Sequence, residues 1–344
     1  MAAHCPGLRR SIVRREHDKM VQERNDRHPA PLSGSRMSSP PLIVTDGFLP
    51  AELALQMRGA IDEHFANPQA HRPETHQVWN YWFVPELYTY LRASPERVIG
   101  QEWAAAFHEA LRRWSISTLG MANVTWPYLS LYVPGCRQGW HNDSLNGRFG
   151  FVYSLTRDLR RTLGGETLVR READSFRGNL VQPQAGRGFY ETVEPRFNRL
   201  LIFDDRLPHA VERLEGAMDP AEGRFVLHGH VSEGGPIVEG TLPAAAIAGP
   251  IGNVLRGFRD EAAAAAGLYH GPLVVRLWVG QTGTVTDCHV LLDRVMHPDP
   301  GHADWERMCE RLIERFRAAK FPPAAGETLI TQPIAFGRLP AGAG

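Results

Sequence analysis

Two histidines and an aspartate dominate the chemistry open to this chain. His141 and Asp143 are separated by one residue, and His209 follows farther along. In an extended strand, residues i and i+2 share a face, so His141 and Asp143 can approach one ion together. Neutral imidazole and carboxylate suit a divalent first-row metal. Two histidines with one carboxylate also leave coordination positions open, the arrangement that activates oxygen at non-haem Fe(II). His209 is the best third ligand. It follows the apolar run Leu200-Leu201-Ile202-Phe203 and opens His209-Ala210-Val211, which reads as strand, short turn, strand. Asp204 and Asp205 lie close to His209 and compete as carboxylate ligands. A bare His-x-Asp is a weak signal, and a surface turn explains it equally well.

The elements that must position these residues are mostly strands. Tyr128 to Val133 alternates and stops at a Pro134-Gly135 turn, Arg148 to Thr156 forms a second strand, and Gly164 to Val169 holds a third. Pro195 to Phe203 and Arg224 to Val231 read as two more, and such a series suggests a sandwich or barrel of the jelly-roll kind. Pro41 to Leu49 reads as a first strand. A helix starts at Pro50, with Leu53, Met57, Ile61 and Phe65 on one face, and a second spans about Glu102 to Thr118 with Ala106, Leu111 and Trp114 inward. Between the helices lies the aromatic run Val78 to Val84. It reads as a core strand, with a substrate lid as the competing reading.

Seven short pieces raise the signal: Leu131-Tyr-Val-Pro-Gly135, His141-Asn-Asp143, Tyr153-Ser-Leu-Thr156, Leu163-Gly-Gly-Glu166, Pro195 to Phe203, Pro208-His-Ala-Val211, and Arg224 with Gly229. In order and spacing, the region from about Pro41 to Val231 resembles the 2-oxoglutarate/Fe(II)-dependent dioxygenases, and within them the prolyl 4-hydroxylase-like branch. The resemblance implies a double-stranded β-helix and Fe(II) bound by His141, Asp143 and His209. It also implies 2-oxoglutarate and O2 as co-substrates, with ascorbate a candidate reductant. Arg224 then has a physical role, because a guanidinium fork matches the distal carboxylate of 2-oxoglutarate. Arg213 competes but stands only four positions after His209. Tyr132 corresponds in the family pattern to a tyrosine that helps bind the co-substrate, with a core tyrosine as the competing reading, and Tyr153 is a further candidate. On a strand, Arg224, Val226, His228 and His230 share a face, which makes His228 and His230 further candidates for the pocket. A halogenase of this superfamily lacks the carboxylate ligand, so Asp143 points to hydroxylation. The branch implies an amino-acid residue in a peptide or protein as substrate; the alternatives are a small metabolite of a biosynthetic pathway, or a non-catalytic jelly-roll binding protein.

Composition sets bounds. The chain has 344 residues, with 38 Lys/Arg against 38 Asp/Glu, so nothing points to nucleic acid or a membrane surface as partner. No apolar run is long enough to span a membrane or serve as a signal-peptide core, which makes a cytoplasmic enzyme the default. Cys5, Cys136, Cys288 and Cys309 have no metal-like spacing and read as free thiols of a reducing compartment. Residues 1–40 carry eight Lys/Arg against four Asp/Glu and read as a disordered basic tail, followed by an oxygenase domain over 41–233.

The texture changes after Val231. Residues 234–252 are rich in Gly, Pro and Ala and read as a linker to a small α+β domain over 253–338. That domain reads as a helix from Asn253 to Gly267, a hairpin of Pro272–Val279 and Thr284–Leu292, a helix from Asp304 to Ala319, and a last strand from Glu327 to Phe336. Gly283-Thr-Val285, Phe321-Pro-Pro-Ala324 and the final Ile334-Ala-Phe336 resemble the C-terminal domain of TonB-type energy transducers. The membrane anchor of that family is not visible. The resemblance implies a sheet edge that pairs with a peptide strand and recruits substrate. Self-association and simple stabilisation are the competing roles.

Overall fold

The structure is a computed structural model that describes residues 39–66, 78–171, 189–263, 269–296 and 303–336. The expected basic tail, apart from its last two residues, and the helix stop at Gly267 fall outside these residues. All described residues belong to one compact unit, Ser38–Gly344. Among them, no helix is long and apolar enough to cross a membrane.

The fold is a jelly roll with flanking helices, built on one large curled antiparallel sheet. Its path runs through β1 (Leu42–Asp46), β11 (Arg199–Asp204), β7 (Phe149–Ser154), β14 (Arg224–Ser232), β5 (Tyr128–Tyr132) and β3 (Tyr88–Ala93). It continues through β6 (Arg137–His141), β12 (His209–Val211), β9 (Thr167–Arg170) and β10 (Tyr190–Val193). Two short strands lie off this path: β2 (Asn80–Val84) on β3, and β4 (Asn123–Val124) on β14. β8 (Thr162–Leu163) and β13 (Glu215–Gly216) make a separate pair.

Strand alternation sorts the side chains into two faces. Phe149, Phe151 and Tyr153 of β7, Leu129 and Leu131 of β5, and Phe225, Leu227 and Val231 of β14 face outward onto the helices and form the main core. Those helices are α1 (Ala51–Ala66) and α2 (Gln101–Leu119), which contribute Ala54, Met57 and Ile61, and Ala104, Phe107, Leu111 and Leu119. Leu53, Phe65 and Trp114 pack only partly buried against that core. The opposite face turns into the barrel, where Tyr90, Tyr132, Val211, Leu214 and Val226 cluster. The aromatic run differs from the core strand expected of it. Val78 is buried, but every residue of β2 is exposed, because among the described residues the strand hangs on β3 alone and nothing covers it.

Residues 234–252, expected as a linker, are structured. Ile237–Gly240 is strand β15, and α3 already starts at Ala244 and runs to Ala263. The Gly/Pro/Ala texture hid a helical stripe, since Ile247, Ile251 and Phe258 are all buried in the second core. β15 joins β18 (Thr328–Phe336), β16 (Gly271–Val279) and β17 (Val285–Asp293) in a four-stranded sheet in the order β15-β18-β16-β17, completed by α4 (Ala303–Ala318). Gly283 sits at φ 78 in the β16–β17 turn, and Phe321 N–H donates to its carbonyl at 2.9 Å. The two sequence motifs of this part therefore meet in space.

The sheets are packed together without a gap. Val274 and Leu292 belong to the main core, and a Cβ on Gly120, the left-handed end of α2, would strike Val274 and Thr331. Arg276 donates to the carbonyls of Ile116 and Ser117 at the end of α2. Arg294 reaches Asp204 at 3.0 Å, with both side chains only 2% exposed.

Candidate metal centre and anion pocket

β6 ends on His141 and β12 opens on His209, and the antiparallel pairing sets these two residues directly opposite. Their ring centres are 4.2 Å apart. Asp143 lies beyond the end of β6, in a turn whose Asn146 N–H donates to the Asp143 carbonyl. The Asp143 N–H donates to the Asp205 carbonyl at 3.0 Å, which fixes that turn against the end of β11. The pair thus converges through a turn and not through strand alternation. Asp143 Oδ2 is 3.4 Å from His209 Nε2 and 3.8 Å from His141 Nε2. The three donor atoms all lie within 4.8 Å of one another, a span that one ion can bridge.

Backbone carbonyls fix the tautomers. Gly139 O is 2.7 Å from His141 Nδ1, and Leu207 O is 3.1 Å from His209 Nδ1. A proton held there leaves both Nε2 lone pairs for a metal, the arrangement usual behind metal-binding histidines. Burial, with His209 adding to it, keeps the His141 pKa below its ordinary value. Burial alone would raise the Asp143 carboxyl, but His209 and His141 outweigh it and hold it at about 2. Both groups are therefore in the forms that bind metal.

The rival carboxylates are engaged elsewhere. Asp204 is held by Arg206 and Arg294. Asp205 is fully buried, and its Oδ2 meets His230 Nδ1 at 3.0 Å. Burial pushes the Asp205 carboxyl up to about 6 despite that partner, and Asp205 in turn lifts His230 against the effect of its own burial. With Asp143, these two form a second group of possible ligands. Asp205 joins the two groups: its carbonyl holds the Asp143 turn and its carboxylate holds His230. His228 sits nearer the mouth, with Nε2 2.8 Å from Ser130 Oγ, and burial followed by the nearby Arg92 lowers its pKa to about 3.

Arg224 is 1% exposed and lies deep in the barrel. Its guanidinium stands 4.6 Å from the ring centre of Tyr132, and Nη2 donates to Thr167 Oγ1 at 3.1 Å. Nε and Nη1 are buried without a hydrogen-bond partner among the described residues. A buried cation with idle donors is costly unless an anion completes it. The distal carboxylate of 2-oxoglutarate fits both the charge and the fork. Gly164 and Gly165, both at positive φ, explain the Gly-Gly motif: a Cβ on Gly164 would strike the Arg213 backbone, and one on Gly165 would lie 3.3 Å from Arg224 Cδ. Arg213 itself pairs with Glu215 at the surface and takes no part in the pocket.

Of the two candidate tyrosines, Tyr132 is in place: it covers Arg224 and donates to Gln138 Oε1 at 3.2 Å. Tyr153 is not brought to the site. Its register opposite Leu227 puts it on the helix side, where it packs on Phe107 and donates to Asn198 Oδ1 at 2.9 Å. Four other pocket residues escaped sequence reasoning. Thr167 and Gln138 gave no signal, but Tyr88 and Tyr90 alternate along β3 and so share the interior face. The Tyr88 ring centre is 5.3 Å from that of His141, and Tyr90 stacks on Tyr132 at 5.2 Å.

No family model matches the chain, and no curated protein matches it. Among solved structures, it is similar to a prolyl hydroxylase from Trichoplax adhaerens in complex with a hypoxia inducible factor oxygen degradation domain peptide fragment. That likeness has 15% identity and a TM-score of 0.39, and covers 55% of this chain and 81% of that one. A prolyl-4-hydroxylase from Pseudomonas putida is similar at 18% identity and a TM-score of 0.38, over 56% of this chain and 92% of that one. A 2OG-Fe(II) oxygenase family oxidoreductase from Burkholderia pseudomallei is similar at 12% identity and a TM-score of 0.36, over 55% and 83%. At these values the geometry of the site, and not the likeness, carries the functional reading.

Proposed function

We propose that the chain is an Fe(II)- and 2-oxoglutarate-dependent dioxygenase that hydroxylates an amino-acid residue in a peptide or protein. One observation carries this reading: the His141–Asp143–His209 cluster shares a barrel interior with a buried Arg224 whose Nε and Nη1 have no partner among the described residues. His141 Nε2, His209 Nε2 and Asp143 Oδ2 would hold the metal. Arg224 and Thr167 would take the distal carboxylate of 2-oxoglutarate. Once bound, the metal and 2-oxoglutarate supply oxygen activation, with conversion to succinate and CO2 and delivery of a hydroxyl group to an unactivated carbon.

The chain's own residues bind, orient and exclude. The Gly139 and Leu207 carbonyls keep the Nδ1 protons in place, and Asp205 anchors the Asp143 turn. The Tyr90–Tyr132 stack and Val226 wall off water around Arg224, which strengthens its pairing with an anion. Retention of Asp143 favours hydroxylation over halogenation. The chemistry of Fe(II) and the free Cys136, Cys288 and Cys309 suit a cytoplasmic setting. For the C-terminal sheet, the seam at Arg294 and Gly120 favours a stabilising role over the strand-capturing role that a TonB-type resemblance implies.

Anaerobic addition of Fe(II) and 2-oxoglutarate tests the site. The wild-type chain should show the visible charge-transfer band of the chelate, and Asp143→Ala should show none. No band with wild type, or an unchanged band in the variant, refutes the assignment.

A further inference from the structure

Arg92 is the cation that the proposed chemistry leaves unused. It lies on β3 opposite Ser130, on the same interior face as Tyr88 and Tyr90. Its guanidinium carbon is 3.5 Å from the ring centre of Trp82 and 4.0 Å from that of Tyr128. Trp82 and Tyr128 are themselves partly exposed, at 38% and 46%, so this contact stands at the mouth of the barrel. No carboxylate among the described residues pairs with Arg92, whereas Arg148 has one in Glu233 and Arg199 in Asp46. Its neighbours do not supply the missing charge: Tyr90 shares a hydrogen bond with it but is neutral, and Ser130 and His228 bond to each other.

Rings stacked on a guanidinium occupy its faces and leave its in-plane N–H donors free. The flanking rings also limit its motion, so a ligand that uses those donors loses little entropy in ordering them. Arg92 is two alternations along β3 from Tyr88, which touches His141. At strand rise that is roughly 13 Å, about the reach of three or four residues of extended peptide.

We propose that Arg92, clamped by Trp82 and Tyr128, is the specificity-determining residue of the substrate site and takes a carboxylate of the substrate, three or four residues or an equivalent length from the carbon presented to the metal. This rests on the reading of His141, Asp143 and His209 as the Fe(II) centre. The carboxylate belongs to an acidic side chain of a peptide or to a free organic acid; both have the same chemistry at Arg92.

The full-length chain, loaded anaerobically with Fe(II) and saturating 2-oxoglutarate so that Arg224 is occupied, is titrated calorimetrically with matched pairs of probes. One pair is the capped pentapeptide Glu-Ala-Ala-Pro-Ala and its Gln counterpart. The other is decanoate and decanamide, whose chain is about as long as that span. In at least one pair the acid should bind about tenfold or more tightly than the amide, as befits a charge-assisted pair. Arg92→Gln should abolish that preference, and Arg92→Lys should retain part of it. The pair that responds identifies the source of the carboxylate. Equal binding within both pairs, no binding in either, or a preference that survives in Arg92→Gln overturns the proposal. The charge-transfer band, recorded on the same samples, separates this failure from failure of the metal site: a band without acid preference removes Arg92 alone.

Discussion

Two deeply buried arginines stand at opposite ends of the molecule's logic. Arg294, in the seam between the sheets, gives Nε and Nη2 to Asp204 and Nη1 to the Ser39 carbonyl. Arg224, inside the barrel, bonds to no carboxylate among the described residues, and two of its nitrogen atoms are idle there. Burial of a guanidinium carries the same desolvation cost in both places. At the seam the protein itself offsets that cost, so the arginine is structural. In the barrel the offset must come from outside the chain, so the arginine waits for an anion.

The sharpest break in this comparison is a pair of substitutions followed by urea unfolding without ligands. Arg294→Met should lose about 3 kcal/mol, because Asp204 is left buried with Arg206 as its one remaining arginine. Arg224→Met, an apolar side chain of similar reach, should be neutral or gain about 1 kcal/mol. The same sign and size for both would erase the distinction between structural and waiting arginine.

A smaller effect follows from His228. Its folded-state pKa is lowered to about 3, first by burial and then by Arg92, from an ordinary value of 6.5. The folded form therefore favours the neutral ring, and the unfolded chain binds more protons between those two values. Stability from this group is fully present above pH 6.5 and is lost as the pH falls toward 3. The loss should be at most about 1.4 kcal/mol per pH unit, the limit for one proton. His228→Gln should flatten the slope of stability against pH by less than one proton, measured as urea midpoints from pH 7 to 4. An unchanged slope would place His228 in contact with water in both states.

The metal cluster was legible because its residue types are rare and its flanks carry strand and turn signals. His141, Asp143 and His209 meet, although through a turn at Asp143 that the i, i+2 argument did not anticipate. Arg224 was legible through resemblance, but its idle donors could emerge only from packing. Tyr153 misled, because a tyrosine in an alternating strand does not say which face is interior, and the register against Leu227 decides that. The stretch 234–252 misled for a different reason. Gly and Pro mask the stripe of Ile247, Ile251 and Phe258, and tertiary burial overrides the weak helical preference of Gly and Pro. The exposure of β2 had no local signal at all, since what lies above a strand leaves no mark on the strand itself.

The claim that Arg224 completes a co-substrate site is tested most directly by two ligands that differ at one end. 2-Oxoglutarate and 2-oxobutyrate share the 2-oxo acid group that faces the metal, and 2-oxobutyrate lacks the distal carboxylate. Each is titrated anaerobically into the Fe(II)-loaded full-length chain and into Arg224→Met. The wild-type chain should bind 2-oxoglutarate at least about 100-fold more tightly, the value of two charge-assisted hydrogen bonds. The gap should collapse in the variant. Equal affinity of wild type for the two acids, or a gap that survives without Arg224, would contradict it.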